Sequence, residues 1–177
     1  MTTAVSSAFA VSQPSIHFEV SFKEPQAHYV EITMKIENIQ RDFIDVKMPV
    51  WTPGSYLVRE YAKNVEGLVA FSGDHAPLAT EKINKNTWRI NSGKKSALTV
   101  QYRVYGFEVS VRTNFIDDSH AFLSPAGTFL YVDGFLELPV DVTILPYVSW
   151  SKISTGLAPV DGKPGTYHAA DFDILFD

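Results

Sequence analysis

The sequence predicts an all-β protein, an antiparallel β-sandwich of eight or more short strands with at most one or two short helices. Three observations carry that prediction. Apolar and polar residues alternate with period two in several segments, turn-forming clusters separate those segments, and helical periodicity is sustained nowhere for long. Aromatic residues make up 13% of the 177, and large rings suit the half-buried surface of a pleated sheet.

The first strand is read from Ile16, Phe18, Val20 and Phe22, which alternate with His17, Glu19 and Ser21. Lys23-Glu-Pro-Gln26 ends it with a turn. Val30, Ile32, Met34 and Ile36 alternate with Glu31, Thr33, Lys35 and Glu37, and Asn38-Ile-Gln-Arg41 closes that second strand. Ile44, Val46 and Met48 repeat the pattern around Asp45 and Lys47. Further turns are expected at Ser72-Gly-Asp-His75, Asn91-Ser-Gly-Lys94 and Asp161-Gly162. Leu98, Val100, Tyr102 and Val104 give another clear strand, and Val142 with Ile144 one more. Residues 1–14 read as a flexible N-terminal segment and 15–177 as one sandwich domain. Ala8-Phe9-Ala10 has the small-x-small form of a signal-peptidase site, but a basic start and a long apolar core are missing, so it reads as a frayed terminus.

Between the third strand and Asn64 the chain changes character. Pro49 and Pro53 fix backbone angles, and Pro53-Gly54 fits a type II turn in which glycine supplies the positive φ. Trp51, Tyr56 and Tyr61 surround that turn, with Arg59 and Glu60 beside them. The segment reads as a rigid corner packed by aromatics, with Trp51 beneath it, and a structural anchor or docking surface. Ser55 to Asn64 is expected to hold a short helix capped by Ser55, and Asp171 to Asp177 another. Trp88, in Thr87-Trp-Arg-Ile90, is expected in the core.

Charge and composition exclude several function classes. Residues 1–113 carry 13 basic and 11 acidic side chains, whereas residues 114–177 carry 2 basic and 9 acidic. That acidic second half argues against a nucleic-acid partner. No apolar run reaches the length a membrane helix needs, so no membrane partner is expected. The chain has no cysteine, which removes disulfides and thiolate chemistry but does not decide the compartment.

Catalytic motifs are missing as well. The five histidines, His17, His28, His75, His120 and His168, include no pair three to five residues apart, so no His-Glu-x-x-His zinc motif exists. Structural roles are expected for all five, and no metal site is expected in this chain. Gly-x-Ser-x-Gly and Gly-rich phosphate loops are also missing. Adjacent Asp117 and Asp118 do not suit a glycosidase pair, because neighbouring strand residues point to opposite faces. The densest polar stretch is Arg112-Thr-Asn-Phe-Ile-Asp-Asp-Ser-His120. Its Arg112, Asn114, Asp117, Asp118 and His120 form a candidate loop for substrate or interface contact, Asp117 or Asp118 facing a peptide α-ammonium. The alternative is a turn in which these groups bond their own backbone.

Met48-Pro-Val-Trp-Thr-Pro-Gly-Ser-Tyr56, with Val58-Arg-Glu-Tyr-Ala62 and Asn64-Val-Glu-Gly67, resembles the N-terminal domain of the glycyl aminopeptidase family of zinc metallopeptidases. Lys85-Asn-Thr-Trp-Arg89, Tyr102-Arg-Val-Tyr105, Ser110-Val-Arg-Thr113, Asp117-Asp-Ser-His120, Thr128-Phe-Leu-Tyr-Val-Asp-Gly134 and Asp171-Phe-Asp-Ile-Leu175 agree in order and spacing. The resemblance implies a domain cut from a larger peptidase, non-catalytic by itself, whose zinc sits in the following catalytic domain. It implies packing on that catalytic domain and help in shaping the cleft that receives a peptide N-terminus. From another class, an independent β-sandwich module binding a glycan or a protein remains the alternative; Trp51, Trp88, Trp150 and eight tyrosines would furnish its platform.

Overall fold

A computed structural model describes residues 13–177. The expected flexibility of residues 1–12, with Ala8-Phe9-Ala10, lies outside the described residues. Gln13 is tied down, since its carbonyl accepts a hydrogen bond from Asn38 Nδ2 at 3.0 Å.

The described residues form fourteen strands and one short helix. In chain order the strands are β1 (Ser15–Ser21), β2 (Tyr29–Glu37), β3 (Ile44–Lys47), β4 (Val65–Ser72), β5 (Pro77–Leu78), β6 (Thr80–Asn84) and β7 (Thr87–Ile90). There follow β8 (Ala97–Tyr105), β9 (Phe115–Ile116), β10 (Ala121–Phe122), β11 (Tyr131–Val132), β12 (Val140–Leu145), β13 (Ala158–Pro159) and β14 (Thr166–Ala169), then the helix α1 (Phe172–Phe176). An eight-stranded sheet runs β13-β14-β12-β1-β2-β8-β4-β5, a four-stranded sheet runs β11-β3-β7-β6, and β9 and β10 form a small hairpin. The all-β reading holds. Every pairing is antiparallel except β1 with β12, which run parallel from Ile16↔Val140 to Ser21↔Leu145. Parallel neighbours require a long crossover, here the chain from β2 to β11, which contributes strands to both sheets.

The alternation read from sequence sets the two faces. Phe18, Val20, Val30, Ile32, Met34, Val100, Val104 and Val142 are buried on the large sheet and join Ile44, Val46, Met48, Trp88 and Ile90 of the small sheet in one apolar cluster. Trp88 lies in that core as expected. The opposite phase carries ion pairs: Arg103 Nη2 to Glu66 at 2.8 Å on the large sheet, Arg89 to both Asp45 oxygens at 2.8 Å on the small one. Gly67 adopts a φ of +62° at the irregularity between Glu66 and Val69, where β4 slips its register against β8.

The C-terminal helix forms as expected. Asp171 caps it by accepting the Ile174 amide at 2.8 Å, and Phe172, Leu175 and Phe176 turn inward, with Phe172 edge-on to Phe18. The helix expected from Ser55 to Asn64 does not form. A single 3-10 turn occupies Tyr61–Asn64, and Ser55 caps nothing helical. The Arg59 amide instead donates to the Val50 carbonyl at 2.7 Å, closing a loop whose geometry excludes helical bonding.

Candidate functional site

Three surface features are anchored on the 3-10 turn Pro125–Gly127. The first is the polar loop after β8. Gly106 donates its amide to the His28 carbonyl and accepts from the Ile116 amide, both at 2.8 Å, so the chain pinches shut there. His28 adds a side-chain clip, its Nδ1 lying 2.7 Å from the Ile116 carbonyl. Beyond the pinch, Val109 and Val111 are 88% and 80% exposed, with Arg112 beside them at the tip.

Asn114 stands apart from the other loop residues. It is only 5% exposed, and its Oδ1 accepts the Ser124 amide at 2.8 Å while Thr128 Oγ1 lies 3.1 Å away. Its Nδ2 donates to the Gly127 carbonyl at 3.4 Å. Asn114 therefore faces the interior and fastens the loop to the 3-10 turn, leaving it no surface for substrate. Below it the buried Tyr102 hydroxyl donates to the Thr128 carbonyl at 3.0 Å and accepts the Leu130 amide at 3.1 Å. Burial pushes the Tyr102 pKa well above its ordinary value, keeping it a neutral hydroxyl.

Asp117 organises its own turn. Its Oδ1 accepts the Ser119 hydroxyl at 2.6 Å and the Ser119 and His120 amides at 2.8 and 3.0 Å, which holds its pKa below the ordinary carboxylate value. His120 Nδ1 lies 2.8 Å from Ser119 Oγ. A hydrolytic triad needs the imidazole between serine and carboxylate; here the serine lies between them and gives its proton to Asp117. The arrangement shapes a turn. Arg112, Asp118, Ser119 and His120 are the exposed polar residues between Arg112 and His120, with the Ser119 hydroxyl already given to Asp117.

The second feature is the corner. Pro53 and Gly54 form the expected turn, with the Ser55 amide donating to Thr52 at 3.2 Å and Gly54 at a φ of +70°. The aromatics do not pack it. Trp51 is 41% exposed and meets the Phe176 ring in a T-shaped arrangement at 6.1 Å, Tyr56 is fully exposed, and Leu57 and Val58 are exposed beside it. Tyr61 alone turns inward, against Gly127. Arg59 Nη2 donates to Ser55 Oγ at 3.1 Å, while Arg59 Nε and the Tyr61 hydroxyl are buried without a partner among the described residues. Sequence placed rings here but not their direction: a chain doubled back by the Arg59–Val50 bond presents Tyr56 outward.

The third feature, a recess beside α1 bordered by Pro125 and Phe122, gave no sequence signal because its walls come from five separate segments. A stack of rings went unread for the same reason. His28 lies 3.7 Å from Phe107, Phe107 5.2 Å from Phe115, and Phe115 5.3 Å from His120, centroid to centroid. These rings cover one another's faces.

The histidines serve separate partners. His17 Nε2 is 3.2 Å from Thr143 Oγ1, His168 Nδ1 is 2.8 Å from Asp141, and His75 holds a tight turn at a φ of +63°. Among the described residues no three His, Asp or Glu side chains converge in a way that fits a metal ion.

Residues 17–177 match the sequence family described as the peptidase M61 N-terminal domain. The chain belongs to that family. The M61 domain is also similar in structure to an aminopeptidase N family protein from Idiomarina loihiensis, with a TM-score of 0.85 and 30% identity. That likeness covers 92% of this chain and 28% of the solved one, so the M61 domain spans little more than a quarter of its length. Comparison with curated protein sequences finds no match. The corner and the Asp117–His120 turn, two of the segments that carried the resemblance, are both surface elements of the M61 domain.

Proposed function

We propose that this chain is the non-catalytic N-terminal domain of a zinc-dependent aminopeptidase, that it packs on the catalytic domain of the same polypeptide, and that it helps shape the cleft for a peptide N-terminus. The match of residues 17–177 to a peptidase N-terminal domain carries this reading. The apolar exposure of Tyr56, Leu57, Val58, Val109 and Val111 supports it, since side chains of this kind gain by burial against a partner. Zinc belongs to the catalytic domain in this reading. Arg112, Asp118 and His120 are the groups in the loop free to meet substrate or the neighbouring domain. A wall that closes one end of a cleft orients the substrate and restricts it to free N-termini.

Peptide turnover by three proteins tests the reading: the 177-residue chain, the full-length polypeptide, and the full-length polypeptide lacking residues 1–177. The expected order is no turnover, full turnover with preference for free N-termini, and impaired or less selective turnover. Turnover by the 177-residue chain alone would overturn it.

A further inference from the structure

The recess beside α1 has a volume of about 620 Å³. Phe22, Phe122, Trp150, Ile153, Leu157 and Ile174 line it. Its shape is fixed from within: Trp150 packs edge-on against Phe22 at 4.8 Å, and its indole N–H donates to the Asp118 carbonyl at 3.0 Å. Phe122 and Ile174 nevertheless keep about half their surface in water, at 46% and 51%. Leu175 of α1 and Asp177 just after it form part of the wall, and Lys152 lies on the same lining.

We infer that this recess seats apolar side chains of the polypeptide that follows Asp177. The inference rests on the reading of the chain as a peptidase N-terminal domain and names the surface through which that domain docks. Two observations select this occupant. The chain matches only 28% of the solved aminopeptidase-family chain, so most of a comparable polypeptide lies outside the matched region. A segment continuing from α1 also starts at the recess wall. Covalent attachment through a short linker sets a local concentration on the order of millimolar, and modest apolar contacts then suffice for docking. The charges argue the same way: Lys152 and Asp177 supply one of each sign, which favours no highly charged ligand.

Thiol labelling in the full-length protein tests the inference, because residues 1–177 contain no cysteine to interfere. Ser154→Cys places a thiol in the recess lining, Tyr56→Cys one at the corner, and Gln101→Cys one on the exposed face of β8, each in a background with any downstream cysteine replaced. Ser154→Cys is expected to label roughly tenfold or more slowly than Gln101→Cys, independent of protein concentration, as a docking equilibrium of about that size gives. Equal rates at Ser154→Cys and Gln101→Cys, with Tyr56→Cys slow, would overturn the recess as the seat while leaving domain packing intact. Fast labelling at all three positions would overturn both. Protection at Ser154→Cys that disappears on dilution would identify a second copy as the occupant and overturn the inference.

Discussion

Gly106 and Asn114 touch so closely that a β-carbon on Gly106 would overlap the Asn114 side chain. The pinch and the buried amide are one device. Gly106 lets two segments of backbone meet, and Asn114 carries the contact inward to Ser124 and Gly127. Gly106→Ala is expected to cost about 1–3 kcal/mol, the usual effect of overpacking against a site that cannot yield. Urea unfolding should show a lower midpoint with an unchanged slope.

Asn114→Ala should destabilise by a similar amount through the opposite cause. It leaves the Ser124 amide without its acceptor in a buried position, which costs about 1–3 kcal/mol. Hydrogen exchange is expected to quicken at Ser124 while β7, paired on both sides within the small sheet, stays protected. Unchanged exchange at Ser124 would show that Asn114 does not fasten the loop.

Acid should weaken the fold through His17. Its pKa is lowered, first by burial and then by Lys35, so the folded state resists the proton more than the unfolded chain does. The unfolded chain thus binds more protons, and stability rises with pH in this window. The His17 contribution is complete above the unfolded value near 6.5 and is lost as pH falls below it toward the lower folded pKa. His17→Gln should flatten the dependence of the urea midpoint over that range. A slope that survives the substitution would assign it elsewhere.

The corner should tolerate change where the core does not. Tyr56→Ser and Val58→Ser alter side chains that touch little and should shift stability by less than about 0.5 kcal/mol. Tyr61→Ala, which empties a site against Gly127, should cost about 3–5 kcal/mol by analogy with large aromatic truncations. Thermal unfolding of the three variants separates the two expectations.

Strands with one wet and one dry face were legible because burial writes itself into sequence with period two, as at Ile16–Phe22 and Leu98–Val104. A short helix within Asp171–Asp177 was legible, but its Asp171 cap was not read from the sequence. β9, β10, β11 and β13 are two residues each, too short for any period to register. The loop at Arg112–His120 was found by its density of polar groups, but density does not give direction. Asn114 turned inward because Ser124, Gly127 and Thr128, ten to fourteen residues away, offered it partners. Trp51 and Tyr56 stayed outward because the backbone bond from Arg59 to Val50 decided the path, and side-chain chemistry alone carries no record of that bond.

The most direct single measurement is to read the source gene past the codon for Asp177. The proposed function predicts an open frame that continues into a His-Glu-x-x-His motif with a glutamate downstream, the ligand set of a zinc peptidase. A stop codon immediately after Asp177 would contradict it, leaving a free-standing β-sandwich with no catalytic domain to dock.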